Sequence, residues 1–356
     1  MPARPGSSQR VAIVGASSLL GKELKLVLED RNFPATDFVL LDESSVAGTL
    51  TEAAGEATFI QPLDADSLEG ARFAFFAGNP ETAAKNWEAG IRAGASVIDL
   101  TGGVPAESGA FTWIPALDAT LPAPSAVLPK SDAKSGSKPA KRDEKRPLYR
   151  SPGTGLIIAA TLSAALRELN PTRVVLTFFP PVSEAGQEGV DELETQTTNL
   201  LTFRGIERRI FDAQVAFNLL TAYGPESRRK LRDIRKKLAQ DLAAYLEGRA
   251  QTPAIEFVQA PVFYGYAFSA YAEFAAAPET TKLEAALAAA GMKVAKKGEG
   301  PPDNVIAAGE SEIQIGLADR DPSIANACWL WGVADNLRLA ATNAVRIAEE
   351  LRVIPA

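Results

Sequence analysis

The first residues able to do chemistry lie in "VAIVGASSLLGKEL", where an apolar run meets Gly15, passes through small residues and reaches Gly21 before turning amphipathic. The outer glycines suit a tight turn and close helix packing. The N–H groups at a helix start attract a pyrophosphate. Gly15, Ser17, Ser18, Leu19 and Gly21 therefore form a candidate dinucleotide cradle. Ser18 stands where the fingerprint usually carries its middle glycine, so it either hinders the closest approach or offers a hydroxyl instead. Asp42 ends the next apolar run, 21 residues beyond Gly21. A carboxylate there would accept from a ribose diol and repel a 2′-phosphate, favouring NAD over NADP. In "LLDESS" it reads equally well as a strand-end turn residue.

What stands opposite such a cradle is constrained by absence. The 356 residues include no histidine and one cysteine, Cys328. Serine triads, cysteine–histidine pairs and histidine-ligated zinc are excluded, and no metal is expected. Proton transfer falls to Asp, Glu, Lys, Tyr or water. Cys328, in "NACWLWG", reads as a buried small hydrophobe, and Trp329 and Trp331 beside it as core or interface. The net charge of −7 argues against a nucleic-acid partner. No apolar stretch reaches membrane-span length, residues 1–9 lack the apolar centre of a signal peptide, and a single cysteine makes a cytoplasmic location the default.

The elements that must position these residues are α/β. Short apolar strands at 11–14, 38–41, 72–77 and 97–100 alternate with helical stretches at 19–28 and 80–93, which predicts a Rossmann-like parallel sheet over residues 1–128. Residues 129–150, "PKSDAKSGSKPAKRDEKRPLYR", carry eight basic against three acidic residues without apolar periodicity and read as a solvated loop. Residues 151–325 predict an α+β substrate or dimerisation domain with a mixed sheet. Its helices fall at 156–169 and 225–246, and its strands at 173–179, 255–262 and 267–274. Residues 326–356 read as a C-terminal helical segment, its helix at 335–351, returning to the N-terminal domain.

At this point the chain resembles the aspartate-semialdehyde dehydrogenases and their N-acetyl-glutamyl-phosphate reductase relatives. The opening turn and "GASVIDLTG" (94–102) are similar to that family's motifs. "SEAGQEGVDELETQT" (183–197) is similar to its Ser-Gly-Ala-Gly…Glu-Leu…Gln-Thr segment. "PVFYGYAFSAYAEF" (261–274) and "WLWGVADNLRLAATNAVRIAEEL" (329–351) resemble its late active-site strand and final helix. The resemblance implies a two-domain fold, a homodimer, and NAD or NADP chemistry through a cysteine thiolate and a histidine.

Position by position, that machinery is altered. "SPGTGLIIAATL" places Thr154 at the nucleophile's position. Gly-His-Ser-Glu becomes Gly265-Tyr266-Ala267-Phe268, and Gln259 replaces a substrate-binding arginine. The family's glutamine appears as Phe179 or Pro180, and its phosphate-binding arginine falls near Val104 or Pro105. The segment favouring NADP becomes Ser44-Ser45-Val46, while Glu226 and Arg229 keep charges of the family's kind. A threonine hydroxyl without a base is a poor nucleophile, and a phenol of pKa about 10 is an inferior proton shuttle. The expected function is therefore a non-catalytic, dimerising relative, with an active homologue as a further partner. Two alternatives are an NAD(P)-dependent oxidoreductase working without a thioester and an NAD-binding sensor.

Overall fold

The computed structural model describes residues 9–35, 37–53, 56–64, 66–118, 120–122 and 147–353. It divides into two compact units. One comprises residues 1–115, 126–153 and 340–356, and the other residues 116–125 and 154–339.

The first unit is built on a parallel sheet in the order Gln61–Pro62, Asp37–Asp42, Arg10–Val14, Ala71–Phe76, Ser96–Asp99, Leu148–Arg150, Phe111–Thr112. Alternation along the strands sends side chains to two separate cores. Val11 and Ile13 pack with Leu24, Val27 and Leu28 of helix Leu19–Asp30, and with Ala344, Ile347 and Leu351 of the last helix. Ala12 and Val14 face the opposite layer with Ala83 of helix Pro80–Arg92. Helices thus cover both faces, as parallel sheets require. The strand order reverses at Arg10–Val14, which lies between Asp37–Asp42 and Ala71–Phe76. Ligands of open α/β sheets bind at the carboxyl ends of strands at such a switch point.

The second unit holds a mixed sheet ordered Ala254–Phe257, Pro171–Phe179, Tyr266–Phe274, Ala327–Ala334, Gln314–Ile315, Lys293–Val294. Its long central pairings are antiparallel. Phe268, Ala270, Ala272 and Phe274 are buried on one face, while Ser269, Tyr271 and Glu273 alternate to the other. Helix Thr154–Leu166 is apolar all round and almost wholly buried, as an inner helix should be.

Four sequence expectations shift. Leu148–Arg150, assigned above to the basic loop, is a strand of the first sheet. Its Tyr149 is buried against Phe111 and Trp113. Residues 129–146 lie outside the described residues. The segment 225–230 is not helical, and the helix begins at Leu231. Side chains pin the preceding turn instead: Ser227 Oγ donates to Ile210 O (2.7 Å), and Asp212 Oδ2 accepts from Glu226 N (2.8 Å). The strand expected over 255–262 stops at Phe257. Residues 327–334 are a strand, and the final helix runs Asn336–Val353.

Candidate functional site

In the first unit the site is made of main chain. Gly15 has φ +85°, a left-handed conformation natural to glycine, and a Cβ built on it would lie 2.2 Å from Gly78 Cα. A Cβ on Gly78 would come within 2.6 Å of Gly15 Cα, so two glycines from adjacent strand ends meet backbone to backbone. A Cβ on Gly21 would strike Gly15 O at 2.2 Å. Gly78 was not singled out in the sequence. Its signal was there in "FFAGNPET", a glycine between an apolar strand and a helix with Pro80 at its first turn.

Ser18 is the N-cap of the first helix. Its hydroxyl accepts from Gly21 N (2.8 Å) and donates to Ala77 O (2.8 Å). Its hydroxyl thus ties the turn to the neighbouring strand end. Asp42 is buried at the end of its strand. Oδ2 accepts from Ser17 N and Oδ1 from Glu43 N, both at 2.9 Å. A carboxylate has about four acceptor directions, and these two bonds use two of them. Glu43 stands beside it, accepting from Thr82 Oγ1 (2.8 Å). The N–H groups of Leu19 and Leu20, in the helix's first turn, have no intrahelical acceptor and suit a pyrophosphate. The cradle therefore fits a dinucleotide.

One cation of this unit escaped the sequence reading. Arg150 Nη2 donates to Val104 O (2.8 Å), and its Nε is buried without a hydrogen-bond partner. A guanidinium thus reaches the segment that the resemblance leaves without an arginine, and it arrives from a different strand.

In the second unit the site is made of side chains gathered around Asn336, the first residue of the final helix and part of "ADNLR". Asn336 is buried. Its backbone O accepts from Thr154 Oγ1 (2.6 Å), and its Oδ1 accepts from Gly265 N (3.1 Å). Its Nδ2 donates to Ser183 Oγ (3.2 Å) and Glu184 Oε1 (3.3 Å). Thr154, 182 residues earlier in the chain, opens the buried helix with its hydroxyl committed to that carbonyl.

Tyr266 is buried edge-to-face on Phe178, with ring centroids 5.2 Å apart, and its hydroxyl lies 3.0 Å from where a Gly155 Cβ would be. Burial, reinforced by the charge of Glu184, raises the Tyr266 pKa well above 10, so the phenol stays protonated. Gln259 is an internal strut. Its Nε2 donates to Pro180 O and Ala260 O (2.9 Å each), and its Oε1 accepts from Tyr223 OH (2.6 Å). Burial pushes Tyr223 up to about 12.

Arg229 is the cation acting on Glu184, Tyr223 and Tyr266 alike, and its Nε is buried without a hydrogen-bond partner. Glu226 is exposed, and its N–H donates to Asp212 Oδ2. Glu184 has solvent access, yet crowding by protein raises its carboxyl pKa, while Arg229 and the Asn336 bond pull it down. Sequence reasoning passed over Glu184, Asn336 and Tyr223. Cys328 stands apart: it pairs with Ala272, six positions along the strand from the Tyr266 pairing, or about 20 Å. Burial raises its thiol pKa.

The motif "DELETQT" proves structural. Gln196 Nε2 donates to Ala213 O (3.0 Å), its Oε1 accepts from Val215 N (2.8 Å), and Glu192 Oε2 accepts from Arg209 N (3.0 Å). Those bonds fasten the loop that goes on to carry Tyr223 and Arg229.

A parallel sheet with a glycine crossing at its switch point, followed by a mixed-sheet unit holding a polar cluster, defines a two-domain protein of dinucleotide-dehydrogenase architecture. Residues 10–123 match the model of the semialdehyde dehydrogenase NAD binding domain, and residues 162–339 that of the semialdehyde dehydrogenase dimerisation domain. The chain belongs to the semialdehyde dehydrogenase family. It is 30% identical to a USG-1 protein homolog of Pseudomonas aeruginosa over 347 residues, 96% of this chain and 97% of that protein. It is 27% identical to an aspartate-semialdehyde dehydrogenase of Rickettsia bellii over 348 residues, with the same coverage. The solved structure of a probable aspartate-semialdehyde dehydrogenase from Pseudomonas aeruginosa superposes with a TM-score of 0.80 at 29% identity, covering 98% of this chain and 99% of that one. Among the described residues no helix is long and apolar enough to cross a membrane.

Proposed function

We propose that this chain has left the thiol-dependent semialdehyde reaction and works as a dinucleotide-binding, dimerising member of its family, with an active homologue as a partner. The observation that carries this reading is Thr154. At the position of the family's nucleophile stands a hydroxyl that donates to a backbone carbonyl at 2.6 Å. A nucleophile needs a base or a depressed pKa, and the phenol beside Gly155, Tyr266, is held in its protonated form. Relatives of similar identity carry two names, USG-1 protein homolog and aspartate-semialdehyde dehydrogenase, so family membership leaves the reaction open.

The Gly15–Gly78 crossing would shape the turn, and the Leu19 and Leu20 N–H groups would bind the pyrophosphate. Asp42 and Glu43 put negative charge where a 2′-phosphate would sit, favouring NAD over NADP. A bound nicotinamide would supply hydride chemistry; the chain's own residues supply position and charge. The dimer would form through the sheet face of Tyr271, Trp329 and Trp331. Trp329 is 43% exposed and meets Tyr271 with ring centroids 4.9 Å apart and the rings tilted by 54°.

With aspartate semialdehyde, phosphate and either dinucleotide, no steady-state turnover is expected. Calorimetry should show NAD binding more tightly than NADP, and sedimentation should return a dimer. Turnover at a rate comparable to the family's enzymes would end this reading. A second reading, reduction of an oxo group with Tyr266 as acid, is favoured by the same protonated phenol beside Gly155. It requires a dinucleotide-dependent activity that Tyr266→Phe abolishes.

A further inference from the structure

We propose that a half-open cavity on the sheet of the second unit binds a small organic cation of the guanidinium type. None of the residues lining it belongs to the cluster around Asn336.

The cavity measures about 330 Å³, within the size range of small-ligand pockets. Trp329 and Trp331 of strand Ala327–Ala334 line it, together with Glu299, Pro301 and Asp319. Hydrogen bonds fix that arrangement. Gly316 N donates to Trp331 O and Ala295 N to Ile315 O, each at 2.8 Å, which ties the segment entering residues 295–301 to the sheet. Within that segment Glu299 N donates to Lys296 O (2.9 Å), and Glu299 Oε2 accepts from Lys296 N (2.8 Å), so its own turn seats the carboxylate. Asp319 pairs directly with Trp329 across the short strand Asp319–Arg320, which places the two side chains as neighbours on one face.

Two features select the ligand. The first is that both indole N–H groups are already spent. Trp329 Nε1 donates to Asp321 Oδ2 and Trp331 Nε1 to Pro302 O, each at 2.8 Å. What the two rings still offer is their π faces, and the residues remain 43% and 39% exposed. Such faces attract cations. The second feature is the sign of the charge. The charged side chains lining the cavity are both carboxylates, and neither Glu299 nor Asp319 has an ion pair among the described residues. Neighbouring cations do not neutralise them. Arg320 alternates to the opposite face, paired with buried Cys328, and donates to Pro278 O (3.2 Å). Lys296 and Lys297 lie outside the lining. A neutral or anionic ligand would leave two carboxylates uncompensated beside an aromatic wall. A planar guanidinium suits both, stacking on an indole while its N–H fork reaches a carboxylate.

The test is a tryptophan-fluorescence titration of the full chain at neutral pH with butylguanidinium and with butylurea, a neutral molecule of the same shape. Trp329 and Trp331 also belong to the face through which the dimer would form, so the chain is titrated in its native oligomer. Butylguanidinium should bind at least tenfold more tightly than butylurea, and the double variant Glu299→Gln/Asp319→Asn should lose that preference. A preference below tenfold, or one that survives the double variant, overturns the proposal. So does the absence of binding by either molecule, the result expected if a second copy seals the cavity. Both substituted residues are exposed. If thermal unfolding shows that the double variant does not fold, Asp319→Asn alone carries the comparison. Because no turnover is read, failure here leaves the loss of thiol chemistry standing, and turnover by wild type would leave this result standing.

Discussion

The two candidate sites of this chain are made of different material. In the first unit the contacts that shape the cradle are backbone to backbone: Gly15 against Gly78, and Gly21 against Gly15 O. Side chains there, Ser18 and Asp42, serve the turn by bonding main-chain groups. In the second unit each polar contact is specified by a particular side chain: Thr154, Ser183, Glu184 and the Asn336 amide, with the Gln259–Tyr223 pair behind them. A main-chain site survives substitution wherever the glycines and the helix start persist, since every residue offers the same N–H. A side-chain site changes its chemistry with each replacement. Binding geometry can therefore persist in one half of a molecule while reactivity is rewritten in the other.

The contrast is most directly broken at Gly15. Gly15→Val places a Cβ against the Gly78 backbone in a left-handed conformation, and should cost roughly 3 kcal/mol or more of stability with loss of dinucleotide binding. Urea unfolding and calorimetry read both, and a variant that folds and binds normally would show that the crossing is not a main-chain contact. In the second unit, Asn336→Ala leaves Gly265 N and Ser183 Oγ without their partner and should cost about 2 kcal/mol. Stability within about 0.5 kcal/mol of wild type would demote Asn336 from its central place.

At neutral pH the smallest effect belongs to Tyr223, which also carries a pH dependence. Tyr223 titrates at about 12 in the folded chain, against roughly 10 when unfolded. The folded state holds the phenolic proton more tightly, so this contribution is complete below pH 10 and is lost as pH rises through 12. Tyr223→Phe should flatten the alkaline limb of urea midpoints measured from pH 9 to 12. At neutral pH it should cost about 1 kcal/mol for the bond to Gln259. An unchanged alkaline limb would show that Tyr223 is open to solvent.

Much of the fold was legible because its signals are local. Apolar strands such as "RVAIV" and "RFAFF", each followed by a helical stretch, call for a parallel sheet whatever lies elsewhere. The first turn was legible because glycine spacing reports a backbone demand. Tyr149 was misread because a three-residue strand at the end of a lysine-rich run offers too little periodicity to register. The helix start at 225–230 was misread because charge pattern suggested a helix, while Asp212 and Ser227 hold that backbone in a turn.

By itself, then, the amino-acid order determined the class of fold, the glycine cradle and the absence of thiol–imidazole chemistry, since each follows from residue type and short spacing. Tertiary structure alone decided that Thr154 gives its hydroxyl to Asn336, that Gln196 fastens the loop carrying Arg229, and that Glu184 bonds the Asn336 amide. Those pairings join residues up to 182 positions apart. Periodicity describes one face of one element, and which donor meets which acceptor across such distances is settled only when the elements pack.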